Sequence, residues 1–330
     1  MRPPIVHKVL LPRARSFSLR SAVASPLKVM TLAEVGIDQE GFISRMAPTF
    51  KALPFDPYDP ALAAEALIKK HVPAVYDAAE IEWLSFWKEF GVTSSDAKEG
   101  PRFWAERVDD LELIAALENL APHRRRSCFQ FVARQLPAAV GWNLLEKGAP
   151  AFCQSVSDSR SRPRRFALPP PAVYRDASIH QLIGFACQWA IQVAGTPRQA
   201  LQVTMHQMLT LAKARSGSRP APEGLHQDGA GFIVSALVVE RCNVTGGTSR
   251  VYYDAGRHLA MAPRELQPGE GIFQADKLWG YWHDVTPIYP NDPARESYRS
   301  IIGLDINILD DDSFDTLTPP NRWQRQPGGN

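Results

Sequence analysis

The chain has 330 residues, 45% of them hydrophobic, and a formal net charge of +2. That length supports a sizeable core in one large or two smaller domains, and the near-balanced charge leaves no footprint for nucleic acid or an anionic membrane surface. No apolar run reaches the roughly 18 residues of a membrane span, and the four cysteines (Cys128, Cys153, Cys187, Cys242) are scattered without a Cys-x-x-Cys pair, so buried free thiols are expected in place of a disulfide framework or zinc site.

Residues 1–33 carry Arg2, Lys8, Arg13, Arg15, Arg20 and Lys28, interspersed serines, and no acidic residue before Glu34. This composition reads as a disordered basic tail or as an organelle transit segment. The expected location is cytoplasmic, with mitochondrial as the alternative. Residues 34–195 read as a mainly helical region. Asp59-Pro60 supplies an N-cap and an N1 proline for a helix over 61–71. Apolar positions Ile81, Leu84, Phe86, Trp87 and Phe90 predict a helix over 78–90 that stops at Gly91, and the helical pattern continues over 103–120. Trp83, Trp87 and Trp104 read as core packing. The basic run His123-Arg124-Arg125-Arg126 sits at a possible helix start and reads as a solvated face, with binding of an acidic group as the alternative. Residues 157–165 form a Ser/Arg/Pro-rich loop ended by Pro169-Pro170-Pro171, and a further helix is expected over 176–193.

After Thr196-Pro197 the texture changes to short strands between turn signals. Residues 202–210 alternate, the segment around His226 reads as extended, and residues 232–239 are apolar on both faces, as a central strand would be. Further strands are expected over 249–253, 272–275, 282–288 and 298–306, with turns at Gly246-Gly247 and Asp254-Ala255-Gly256. The fold class is therefore α+β. An antiparallel sandwich or barrel over 196–310 is flanked by a helical N-terminal half, and residues 311–330 form a frayed tail.

The chemistry gathers at His226-Gln227-Asp228. A His and a carboxylate two residues apart point the same way from an extended chain. A second His from a neighbouring strand would complete the two-His-one-carboxylate set of non-haem Fe(II) oxygenases. His258, at a hairpin tip, and His283, in an apolar β-favouring segment, are the candidates, and His283 suits a buried site better. Arg299 begins an apolar strand and, if it lies on a strand adjacent to His283, can hold the far carboxylate of a dicarboxylate co-substrate as a bidentate cation. Arg295 is the alternative anchor.

Four stretches taken together are more specific. Pro-Glu-Gly-Leu-His-Gln-Asp-Gly (222–229), Gly246-Gly247 with Ser249, His-Asp-Val-Thr-Pro-Ile (283–288) and Ser-Tyr-Arg (297–299) resemble the bacterial and fungal family of 2-oxoglutarate/Fe(II) dioxygenases that includes L-isoleucine dioxygenase. The resemblance spans about residues 200–306. It implies a distorted double-stranded β-helix, or jelly roll, with Fe(II) on His226, Asp228 and His283 and 2-oxoglutarate on Arg299. Dioxygen would be the co-substrate and ascorbate the supporting reductant. It also implies side-chain oxidation of a free aliphatic L-amino acid, by hydroxylation or, as in a fungal branch acting on valine, by closure to an aziridine. Two places depart from the family pattern. His206-Gln207 is followed by Met208-Leu209, where relatives often carry an Arg two places on, and 276–283 is two residues longer than usual. For substrate binding, His206, Gln207, Arg164 and Arg165 are the polar candidates, with Phe232 and Trp282 as apolar walls. A metal-binding jelly roll without turnover and a peptide hydroxylase are the competing readings.

Overall fold

The computed structural model describes residues 5–11, 24–93, 96–136, 141–154, 156, 161–195, 200–213 and 217–309. The basic N-terminal segment is not wholly a tail: Val6–Leu10 forms strand β1 and Leu27–Thr31 forms β2. Each pairs antiparallel with a distant strand, so backbone hydrogen bonding overrides the polar composition. Residues 1–4 and 12–23 and the tail 311–330 lie outside the described residues.

Helix α1, Gln39–Lys51, starts where the Asp38 carboxylate accepts from the Gly41 amide, and it buries Phe42, Met46 and Phe50 at four-residue spacing. Helix α2, Tyr58–His71, begins a turn before Ala61. Asp59 is not its cap, because its carboxylate is taken by His123 at 2.7 Å and Arg124 at 2.8 Å. Helix α3, Pro73–Thr93, is longer than the apolar pattern suggests. The pattern over 103–120 divides into α4, Glu99–Ala105, and α5, Leu111–Glu118, because the Asp110 carboxylate accepts two amides and starts a new helix. These four helices, α2 to α5, share a cluster in which Trp83, Trp87 and Trp104 are fully buried, as core packing requires.

The chain then turns to strand inside the region read as helical. Strand β3, Arg124–Gln135, takes up the basic run, and β4, Gly141–Gly148, pairs with it. Helix α6 is a single turn, Pro171–Tyr174, and α7, Ala177–Ala194, is capped by Asp176 and ended by Gly195 in the left-handed region at φ 67°. The C-terminal half adds β5 (Ala200–Leu211), β6 (Phe232–Cys242), β7 (Val244–Gly246), β8 (Ser249–Tyr252), β9 (Glu270–Gln274), β10 (Trp282–Val285), β11 (Ile288–Pro290) and β12 (Tyr298–Leu309).

Eight strands form one sheet in the order β1-β4-β3-β5-β12-β6-β9-β2, and β10-β8 and β11-β7 form two-stranded ribbons. Its long central pair, β5 with β12, runs in unbroken register from Tyr298–Leu211 to Leu309–Ala200. Alternation then divides the residues between two faces. Leu201, Val203, Met205, Tyr298, Ile302 and Leu304 join the main core under α1 and α7. Thr204, His206, Thr210, Arg299 and Asp305 stand on the other face. This is the α+β architecture with a distorted jelly-roll core. Among the cysteines, Cys128 and Cys187 are buried, Cys242 is half-buried and Cys153 is exposed, all four as free thiols.

Candidate metal centre

His226 and Asp228 lie on the chain between β5 and β6, outside any regular strand. An isolated antiparallel bridge replaces the expected strand. The His226 amide donates to the His283 carbonyl at 2.9 Å, and the His283 amide returns a bond of 2.9 Å to His226. This exchange sets the two imidazoles side by side, with ring centroids 4.2 Å apart. Asp228 then reaches both: Oδ1 is 3.5 Å from His226 Nε2 and Oδ2 is 3.5 Å from His283 Nε2. One ligand atom from each of the three residues lies within 4.8 Å of the others.

The surroundings fix which atoms face the centre. His226 Nδ1 is 2.8 Å from the Gly224 carbonyl, which can only accept, so Nδ1 carries a proton and Nε2 is turned to Asp228. Burial alone would push this imidazole down, but the Asp228 carboxylate outweighs it and raises the ring to about 9. The position therefore favours positive charge. His283 Nδ1 is 3.3 Å from the Gln274 carboxamide, whose Oε1 is a buried atom without a hydrogen-bond partner. Turned by half a rotation, that oxygen accepts from His283 Nδ1 and leaves Nε2 for a ligand role. Burial, then the Asp228 charge, pushes the nearby Asp276 carboxyl up to about 8, and its Oδ2 accepts from the Gly229 amide at 2.9 Å. Two imidazole nitrogens and a carboxylate make a donor set suited to iron.

Arg299 is 2% exposed, and its Nε and Nη2 have no hydrogen-bond partner. Burial, with Arg241 as the second cause, pushes its guanidinium down to about 10. Gly247 lets the chain pass close to it: a Cβ there, at φ 68°, would lie 3.2 Å from Arg299 Cδ and 2.9 Å from Ile288 Cγ2. Ser249 Oγ, also buried and without a partner, lines the same cavity of about 580 Å³ as Arg299, His226, Asp228 and His283. Two orphaned nitrogens and an orphaned hydroxyl suit a carboxylate, so the residues fit 2-oxoglutarate as well as a metal. Arg299 and His283 are not on adjacent strands. Arg299 pairs with β5 and β6, whereas His283 pairs with β8 in a separate ribbon, and the cavity joins them. Arg295 is exposed, and His258 is exposed and bonded to Asp254 at 2.8 Å, so neither enters the site.

The six substrate candidates divide. Arg164 is buried and lines the cavity, donating to Gln154 Oε1 at 3.2 Å. His206 is on the cavity face, behind the lining, between Arg126 Nη2 at 3.3 Å and Asp305 Oδ2 at 3.2 Å. Of the other four, Gln207, Trp282 and Arg165 are corrected. Gln207 points to the opposite face and donates to Thr49 of α1 at 2.9 Å. Phe232 packs in the core, its ring edge-on to Trp189 of α7 at 5.5 Å, and it also lines a neighbouring cavity that touches Asp228 and Gln154. Trp282 is half-buried opposite Tyr252 and lines neither cavity. Arg165 is exposed. Three residues of the site carried no motif: Gln154, which donates to Asp228 Oδ1 at 2.9 Å, Arg126 and Gln274. For Arg126 the signal was present, since in a strand Arg124 and Arg126 must share a face that Arg125 does not.

A sequence profile described as 2OG-Fe dioxygenase matches residues 106–305. No curated protein sequence matches the chain. Among solved structures, a BsmA homologue from Methylobium petroleophilum PM1 is similar at a TM-score of 0.56 and 16% identity, covering 86% of this chain and 89% of that one. IDO from Bacillus thuringiensis is similar at a TM-score of 0.46 and 16% identity over 64% of this chain and 83% of that one. The Fe(II)/α-ketoglutarate-dependent dioxygenase TqaL gives a TM-score of 0.36 and 13% identity over 71% and 89%. The profile spans more than half of the sequence and encloses the His226–Asp228–His283 cluster and Arg299, so this chain is an oxidoreductase that belongs to the 2OG-Fe dioxygenase family.

Proposed function

We propose that His226, Asp228 and His283 hold Fe(II), that Arg299 holds the far carboxylate of 2-oxoglutarate, and that the enzyme oxidises the side chain of a free aliphatic L-amino acid. The observation that carries this reading is Arg299: a buried guanidinium with two unpartnered nitrogens, opening on the cavity that the three ligands share. Iron held there would supply, with dioxygen and 2-oxoglutarate, the oxidising power for an unactivated C–H bond, 2-oxoglutarate ending as succinate and carbon dioxide. The chain's own residues do the positioning. Gly224 and Gln274 orient the imidazoles, Gln154 fixes one oxygen of Asp228, and Ser249 adds a donor in the cavity that Arg299 lines. The amino-acid substrate rests on the motif resemblance and on a small-molecule-sized cavity.

The test is an aerobic incubation with Fe(II), ascorbate and 2-oxoglutarate against a panel of free L-amino acids, reading succinate and product mass together. Succinate with a product one oxygen heavier is the expected outcome. A product two hydrogens lighter would mark C–N closure or desaturation, which NMR separates. Iron-loaded protein that makes no succinate with any aliphatic amino acid would overturn the substrate assignment.

A further inference from the structure

The cavity holds more cationic side chains than iron and 2-oxoglutarate account for. Arg124, Arg126, Arg164 and Arg299 all line it. Arg124 is neutralised by Asp59 at 2.8 Å and Asp56 at 3.6 Å. Arg126 has no such partner: among the described residues no carboxylate lies within ion-pair distance of it, its Nε is buried without a hydrogen bond, and its one polar contact is His206 Nδ1 at 3.3 Å. Burial and the nearby Arg126 charge hold His206 below the usual imidazole range, and an imidazole brings no negative charge to cancel that of Arg126.

Arg164 shares the same seat. Its guanidinium stands 5.8 Å from the Phe152 ring and 5.7 Å from the Phe166 ring, while that of Arg126 stands 5.9 and 4.2 Å from the same two rings. Two cations on one aromatic platform repel each other. Burial first and the Arg126 charge second hold the Arg164 guanidinium down at about 10, and Asp56 and Glu223 offset this only in part. Arg164 is buried and Arg126 half-buried, and like charges packed together with little access to water are costly unless an anion is bound between them. Their position is also separate from Arg299. Strand β5 lies between β3, which carries Arg126, and β12, which carries Arg299, so two strand spacings, about 10 Å, part them.

We propose that Arg126 and Arg164 bind the carboxylate of the organic substrate, at a subsite distinct from the Arg299 end of the cavity. This rests on the reading that the triad holds the metal and Arg299 holds 2-oxoglutarate. Gln154 sets the scale of the subsite. Its carboxamide accepts from Arg164 at 3.2 Å and donates to Asp228 at 2.9 Å, so one amide group spans the interval between the cation pair and a metal ligand. A carboxylate held by the pair therefore places carbons only a few bonds away beside the metal. The substrate is a short carboxylic acid oxidised close to its acid group, and long-chain acids and internal peptide residues do not meet that requirement.

The experiment is calorimetric and anaerobic, on the full chain loaded with Fe(II) and 2-oxoglutarate. L-valine, L-leucine and L-isoleucine are titrated against their primary amides, which keep the side chain and ammonium and lose the negative charge. The acids bind, and the amides bind about ten- to a hundredfold more weakly, the loss of charged hydrogen bonds. Arg126→Gln and Arg164→Gln each weaken the acid by about tenfold or more and leave 2-oxoglutarate affinity in place, while Arg299→Gln does the reverse. Amides that bind as tightly as the acids, acid affinity unmoved in both variants, or no small carboxylate bound by protein that does bind 2-oxoglutarate would each overturn the subsite. The comparison of acid with amide needs only the unaltered protein, so a variant that fails to fold does not decide it. Failure of the unaltered protein to bind 2-oxoglutarate would instead overturn the reading beneath.

Discussion

At the scale of single residues, the period-two geometry of extended chain separates what could be read in advance from what could not. His206 and Gln207, Arg164 and Arg165, and Trp282 and His283 are each adjacent pairs, and in each pair one member faces the cavity side while its neighbour faces away. Composition cannot say which, because register is set by strands elsewhere in the chain. The ligands were legible because His-x-Asp and a distant His carry their own spacing, and Arg299 because a cation opening an apolar strand requires a partner. Gln274 was not legible, since a glutamine ending an apolar strand has no pattern of its own. Its effect is measurable. Gln274→Leu removes the group that orients His283, and metal affinity is expected to fall by about ten- to a hundredfold. Calorimetry with Fe(II) under anaerobic conditions reads this directly. Unchanged affinity would mean that the backbone bridge alone holds the imidazole.

Among the elements, the helical layer is tied together at one carboxylate. Glu65 of α2 receives both terminal nitrogens of Arg162 at 2.7 and 3.0 Å, Lys69 at 2.8 Å and the Trp83 indole of α3 at 3.0 Å. Burial alone would raise this carboxyl, but the bonds from Arg162, then Lys69, outweigh it and hold it at about 2. A carboxyl lowered by folding stabilises the folded chain above its unfolded value near 4.5, and that contribution is lost as pH falls from about 4.5 towards 2. Chemical denaturation across that range should show the loss, and Glu65→Gln should remove Glu65's share of it, leaving that of other lowered carboxyls such as Asp59 and Glu146, together with about 3 kcal/mol at neutral pH, because Arg162 is left half-buried without its anion. A variant with the parent's stability and acid profile would remove Glu65 from this role. The helices around it were readable from apolar spacing, and the break at Asp110 from its capping chemistry. Strand β3 was misread because three consecutive arginines resemble a solvated face, whereas in the structure Arg124 and Arg126 turn inward and Arg125 caps the Leu53 carbonyl at 2.6 Å.

For the whole molecule, the jelly-roll class was legible in the succession of short strands after residue 200, but the limits of the sheet were not. Its two outer strands, β1 and β2, both come from the basic N-terminal segment. Nothing local marks them as sheet, since Val6 and Leu10 are exposed and the pairing partners lie far along the chain. A chain beginning at residue 34 would bare the edges of β4 and β9. Its expected loss is several kcal/mol, a large share of a domain's stability. Metal affinity should fall as well, because β9 carries Gln274. Thermal melts and calorimetry of the shortened chain test both, and a melt equal to that of the full chain would reduce the two strands to ornament.

The same pairing has a consequence for synthesis. Leu27 is matched to Gln274 and Thr31 to Glu270, so β2 leaves the ribosome far ahead of β9 and has no partner until that distant strand has followed. At about 5–20 residues per second that interval lasts on the order of tens of seconds. A nascent strand so long unpaired is open to the wrong neighbours. The positive charges before and within it, Arg20 and Lys28 among them, act on that growing chain as well as on the finished protein, since like charges hold nascent copies apart.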